Sequence, residues 1–297
     1  MSRPCPSRLL MSRPIFGLTW AAIAAMVAAC SGGESVQPRT VDDALAADFD
    51  RVASARVYFG HQSVGGNILD GVADLQRQVG RPVLRIATLG ELELADGQGV
   101  LLHTAIGENE RPDTKCEDFR RVLDSLAGRI DVALFKFCYI DFNDASDVDA
   151  IFATYARTMD DLKRRHPDVL FIHVTAPLRS VDRGLGVWAR EMLGRVNRTK
   201  LANVRRNEFN RRLREQFADD PIFDLAAAMS TLPDGRRESF RVSGAGFDSL
   251  VPAYTNDGGH LNEVGRTHVA AAFVQSIAEG LRRGRRANAT DGAPPDA

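Results

Sequence analysis

This chain lacks a surplus of charge of either sign: 38 Lys and Arg stand against 39 Asp and Glu, a formal net charge of −1. Phosphate backbones are gripped by a basic face, so nucleic acid is not an expected partner. The basic runs Arg205-Arg206, Arg211-Arg212 and Arg282-Arg283 with Arg285-Arg286 are interspersed or terminal and read as solvated helix faces and ends. Cysteine is scarce, four residues in 297, and no Cys/His cluster has the spacing of a zinc site. No apolar run reaches the roughly 20 residues of a bilayer-crossing helix. Residues 41–283 contain neither an internal repeat nor a Gly/Ser/Pro linker, which points to one domain rather than an array.

What is present begins with the first 30 residues. Arg3, Arg8 and Arg13 precede an apolar stretch from Ile15 to Ala29, and no acidic residue appears before Glu34, the pattern of a secretion signal over residues 1–29. The stretch ends in Val27-Ala28-Ala29-Cys30, which resembles the bacterial lipobox. That resemblance implies cleavage before Cys30, a diacylglycerol on its thiol, and a membrane held through this lipid. Ser31 after the cysteine then implies the outer membrane of a bacterial envelope, on its periplasmic side. An ordinary cleaved signal with a chance cysteine is the alternative. Met11-Ser12-Arg13-Pro14 repeats Met1-Ser2-Arg3-Pro4, so Met11 is a second candidate start. Residues 30–40 read as a flexible tether, and 284–297, low in apolar residues, as a disordered tail. For Cys116 and Cys138 a disulfide and two separate buried thiols both stand open.

Between tether and tail, strand patterns at residues 56–60, 83–89, 101–106, 131–140, 169–176 and 222–226 alternate with helical patterns at 64–78, 116–127, 148–165, 199–218 and 262–283. Several strand candidates are continuous apolar runs, as in parallel strands covered on both faces. The expected fold class is therefore α/β, a three-layer α/β/α sandwich on a mainly parallel five-stranded sheet. Ligand crevices in such sheets lie outside the carboxyl ends of the strands. Residues 227–256 read as an irregular connection that shapes a pocket.

Ser63 falls at one such strand end, in Gly60-His61-Gln62-Ser63, and Asp257-Gly258-Gly259-His260 stands directly before the last helix. A serine hydroxyl is a weak nucleophile until an imidazole takes its proton and a carboxylate orients that imidazole. Each half has an ordinary explanation, a helix N-cap for Ser63 and a turn for Asp-Gly-Gly. Their conjunction points to a catalytic triad of Ser63, His260 and Asp257. His61, Lys136, Tyr139, Arg179 and Tyr254 also fall at strand ends and are candidates to bind substrate. A cluster of His, Lys and Arg there would suit an acidic or polyhydroxylated ester.

This order of blocks resembles the SGNH hydrolases, also called GDSL lipases or esterases. The resemblance implies a flavodoxin-like sandwich, a carboxylic-ester hydrolase needing no metal or organic cofactor, and a small-molecule or glycan ester as substrate. It assigns Ser63 as nucleophile and, with Gly107 of the second block, as backbone oxyanion donor. The sequence departs from the family at Gly-Asp-Ser, here Gly60-His61-Gln62-Ser63, and at Gly-x-Asn-Asp, where the asparagine position falls on Ile140. Asn143 and Asn109 are the candidate replacements. A non-catalytic glycan-binding or scaffolding protein, or an O-acyltransferase, would carry the same blocks.

Overall fold

The computed structural model describes residues 36–80, 83–90, 99–182, 184–186, 192, 193 and 197–291. The leader, Cys30 and the first part of the tether lie outside the described residues. Six parallel strands form the sheet: β1 (Arg56–His61), β2 (Ile86–Thr88), β3 (Val100–Ala105), β4 (Val132–Phe135), β5 (Leu170–Val174) and β6 (Ile222–Phe223), in the order β2-β3-β1-β4-β5-β6. This is the parallel α/β sandwich expected, with one strand more than the five foreseen. The sixth, β6, is two residues long.

Strand alternation sorts the apolar side chains into two cores. Val57 and Phe59 of β1 face one core with helices α1 (Asp43–Val52), α2 (Val64–Val79) and α7 (Glu263–Asp291), through Phe49, Ile68, Val72, Phe273 and Ile277. Tyr58 faces the other with α3 (Pro112–Ser125), α4 (Val148–Arg165) and α5 (Arg198–Gln216), through Phe119, Tyr155, Leu162, Phe209 and Leu213. Asp42, Asp147 and Asn197 cap α1, α4 and α5 by accepting a backbone amide in the first turn. α2 and α7 approach so closely that a Cβ on Gly71 would stand 2.2 Å from the Arg266 carbonyl oxygen. Gly71→Ala is expected to lower stability by about 1–3 kcal/mol, checked by the urea midpoint.

Three expectations are corrected. Residues 36–40 are docked rather than loose: the Arg39 amide donates to Thr267 Oγ1 at 2.9 Å, His268 Nε2 lies 3.0 Å from the Gln37 carbonyl, and Val36 packs on the core. The tail expected to be disordered over 284–297 is helical as far as Asp291, because Arg285, Arg286, Ala287 and Ala289 are good helix formers, and residues 292–297 lie outside the described residues. The connection at 227–256 holds more structure than foreseen: α6 (Leu225–Ser230), capped by Asp224, and the hairpin β7 (Ser239–Val242) with β8 (Ala245–Asp248). Its turn residues Ser243 and Gly244 have φ of 49° and 85°, the type I′ pattern of a two-residue hairpin. Cys116 and Cys138 are separate buried thiols, and burial pushes that of Cys116 up to about 12. Among the described residues no helix is long and apolar enough to cross a membrane.

Candidate active site

β1 is flanked by β3 and β4, so the turn that leaves its carboxyl end opens at the middle of the sheet. Ser63 occupies that turn with φ 46° and ψ −103°, a left-handed conformation costly for a residue with a Cβ. It does not cap α2 with its side chain. The helix can start this abruptly because a Cβ on Gly65 would lie 2.3 Å from that of His61, a distance only glycine allows. Strain of this kind aims the Ser63 hydroxyl away from its own helix, and its amide has no acceptor among the described residues.

The opposite half of the site is one turn of chain. Thr255 and Leu261 pair across it as an isolated antiparallel bridge, and Asn262 caps α7 by accepting the Gly265 amide at 3.0 Å. Inside this clasp the Asp257 carboxylate accepts the Gly259 and His260 amides at 2.9 and 2.8 Å and the Thr255 hydroxyl at 3.2 Å. Its second oxygen lies 2.5 Å from His260 Nδ1. The bond to His260, aided by these amides, holds the Asp257 carboxyl far below the usual carboxylate range, so it is ionised throughout the neutral range. His260 Nε2 is 2.6 Å from Ser63 Oγ. Asn67, in the first turn of α2, accepts the Leu261 amide at 3.2 Å and ties the two halves together.

Both glycines of Asp257-Gly258-Gly259-His260 are required. Gly258 has φ 81°, and a Cβ on Gly259 would lie 2.9 Å from the Tyr139 ring. Arg179 docks the turn from below, its guanidinium 3.3 Å from the carbonyl oxygens of Gly258 and Asp257, while the Ser180 amide donates to Gly258 at 3.0 Å. Gly259→Ala is expected to cut turnover about tenfold or more by displacing His260, with a change in melting temperature of only a few degrees, checked on one preparation by kinetics and calorimetry.

The sequence-derived oxyanion donors fare differently. Gly107 is held against Gln62, the residue before Ser63, whose side-chain amide donates to the Ile106 carbonyl at 2.8 Å and to that of Gly107. Its own amide, however, donates to Asp118 Oδ2 at 2.7 Å and is already committed. That partner lies on α3, and no local signal announces it. Asn143 closes its own turn by accepting the Ala145 amide at 2.8 Å, and Asn109 is exposed in the loop after β3. Among the described residues no contact joins either to Ser63 or His260. Ile140, where the resemblance puts an asparagine, is 40% exposed and apolar.

Of the polar strand-end residues, Tyr139 and Arg179 adjoin the triad. Tyr139 Oη is 3.4 Å from His260 Nε2, and the Arg179 guanidinium lies 5.3 Å from the Tyr139 ring centre. His61, Lys136 and Tyr254 are buried instead, so the expected His/Lys/Arg rim reduces to Arg179. His61 Nε2 meets His103 Nδ1 at 3.1 Å, and burial, with Lys136 and His103 nearby, drives its pKa from the ordinary 6.5 down to about 3. Between those values the unfolded chain binds the proton and the folded one does not, so stability is full above pH 6.5 and falls as the pH drops towards 3. The slope is at most about 1.4 kcal/mol per pH unit. Urea midpoints between pH 4 and 7 are expected to show it, and His61→Phe to flatten it. No group of three or more His, Cys, Asp or Glu among the described residues could hold a metal ion.

The class these features define is an α/β sandwich carrying a linked Ser-His-Asp constellation at the carboxyl end of its sheet. No protein-family profile and no curated protein matches the chain. Solved structures that it is similar to include a lipase/acylhydrolase from Enterococcus faecalis, 15% identical over 76% of this chain and 96% of that one, with a TM-score of 0.42. The periplasmic domain of a lipopolysaccharide acetyltransferase from Salmonella ser. Paratyphi A is 10% identical over 88% and 97%, with a TM-score of 0.40. An acetyl-xylooligosaccharide esterase from Geobacillus is 14% identical over 77% and 96%, with a TM-score of 0.37.

Proposed function

We propose that this chain is a divergent serine hydrolase of the SGNH type that cleaves carboxylic esters, with Ser63 as nucleophile, His260 as general base and acid, and Asp257 as the residue that orients it. The observation that carries this reading is the unbroken line Ser63 Oγ to His260 Nε2 at 2.6 Å and His260 Nδ1 to Asp257 at 2.5 Å, assembled from parts 197 residues apart. An ionised Asp257 fixes the Nδ1–H tautomer, leaving Nε2 to take the Ser63 proton as Oγ attacks the carbonyl carbon. The Ser63 amide, unspent at the start of α2, is the donor best placed for the developing oxyanion. Collapse of the intermediate passes the proton from Nε2 to the leaving alcohol, and water repeats the sequence to release the acid.

Ser63 and Asp257 are exposed and His260 is half-buried, so a substrate can approach Ser63 from an open surface. Beside Asp257, though not lined by Ser63 or His260, lies a cavity of about 380 Å³ bounded by Arg179, Ser180, Asp182, Asn197, Thr199 and Asn256, polar groups that would suit the hydroxyl-rich part of an ester such as an acetylated glycan. A lipid on Cys30 would hold the domain at a bacterial envelope membrane where such glycans occur.

The test is fluorophosphonate labelling of protein spanning residues 31–297. Labelling of the parent chain and not of Ser63→Ala is expected. A folded parent chain that takes no label and leaves p-nitrophenyl acetate intact would overturn the hydrolase reading in favour of a binding protein.

A further inference from the structure

Building on that triad, we propose that the Tyr139 hydroxyl donates a hydrogen bond to the alcohol oxygen of the ester as it leaves. The atom that His260 protonates must sit within hydrogen-bond reach of Nε2, and Tyr139 Oη is already 3.4 Å from that nitrogen. A leaving oxygen that approaches Nε2 from the Tyr139 side comes within hydrogen-bond reach of the phenol.

The ring is held for this task from three sides. Its edge meets the His260 ring with centres 5.6 Å apart at 75°, the Arg179 guanidinium covers it, and the Gly259 backbone lies so close that no Cβ fits between. Its backbone is held by Arg206, only 3% exposed, whose guanidinium donates to the Tyr139 carbonyl at 2.9 and 2.7 Å, to that of Phe142 at 3.0 Å and to Asn203 Oδ1 at 2.6 Å. Among the described residues no carboxylate touches that buried cation. Burying a guanidinium against neutral acceptors is costly, and the segment it fixes is the one that carries Tyr139. Burial also raises the Tyr139 pKa, so the phenol keeps its proton at neutral pH and is available as a donor.

In the step itself, Ser63 Oγ bonds to the carbonyl carbon while its proton goes to His260 Nε2. The bond from carbon to the alcohol oxygen then breaks, and that oxygen receives the Nε2 proton. Tyr139 retains its own proton throughout and lends only a hydrogen bond to the charge that gathers there. A leaving group that is stable as an anion needs this help least.

The experiment compares kcat/KM, which reports the acylation half, for ethyl acetate and p-nitrophenyl acetate in the parent protein and in Tyr139→Phe, which keeps the ring and its packing. Ethyl acetate is expected to lose about tenfold or more and p-nitrophenyl acetate less than about threefold, with fluorophosphonate labelling of Ser63 unchanged. Equal losses on both esters would make Tyr139 a packing residue and overturn the assignment, as would no loss on either. A parent protein that is neither labelled nor active would instead overturn the triad, and this assignment with it.

Discussion

Ser63→Ala protein is expected to turn over p-nitrophenyl acetate at least about 10⁴-fold more slowly than the parent, and His260→Ala to do the same. The two changes together should cost no more than either alone, because each empties the same proton path. Asp257→Asn should fall by a comparable factor for a different reason. Asp257 keeps one oxygen on the Gly259 and His260 amides and the other on Nδ1, so an amide there would present N–H₂ to Nδ1 and select the wrong tautomer. Steady-state kinetics beside circular dichroism checks all four proteins. Additive losses in the double variant would mean that Ser63 and His260 do not act as one unit.

Lys115→Met is expected to lower the free energy of unfolding by about 3–5 kcal/mol, read from urea denaturation. Lys115 and Asp141 are both fully buried side chains, with Nζ 2.8 Å from Oδ1. Asp141 also accepts the amides of Glu110 at 3.0 Å and Cys138 at 2.6 Å, and Lys115 donates to the Glu108 carbonyl at 2.8 Å. The pair thus knits the loop after β3 to the loop after β4, and its removal strands a carboxylate in apolar surroundings. Lys115→Met with Asp141→Leu should recover part of the loss, since neither member of the pair is then left without the other. A cost below about 1 kcal/mol for Lys115→Met would show that the carboxylate finds water instead. Tyr139 lies between Cys138 and Asp141, so activity should suffer more than stability alone accounts for.

The juxtaposition of Ser63, His260 and Asp257 was legible because each half is a local pattern: a strand ending in glycine before a helical period, and a carboxylate three residues ahead of an imidazole. The strand centres were legible for a similar reason, since Val132–Phe135 and Leu170–Val174 lie in apolar runs, but the run expected at 131–140 stops being strand after Phe135 and ends in a 3-10 turn at Tyr139–Asp141. What escaped depends on partners distant in sequence. Gly107 looks like a free amide until α3 delivers Asp118 to it. His61 and Lys136 look like pocket residues until the sheet closes over them. Tyr139 was one polar strand-end residue among five, and only the fold shows that its hydroxyl, not that of Tyr254, reaches His260. The hairpin at 239–248 carried a usable sign, Ser243-Gly244 between two short alternating runs.

The distance in sequence between the two halves of the site also sets a clock. A ribosome adding about 5–20 residues per second makes Ser63 some 10–40 s before His260 emerges behind it. During that interval the serine has no base, and the core it will sit on lacks α7, whose Phe273, Val274 and Ile277 complete the layer over α1 and α2. The nascent polypeptide consequently cannot bring Ser63 and His260 together until the last helix docks.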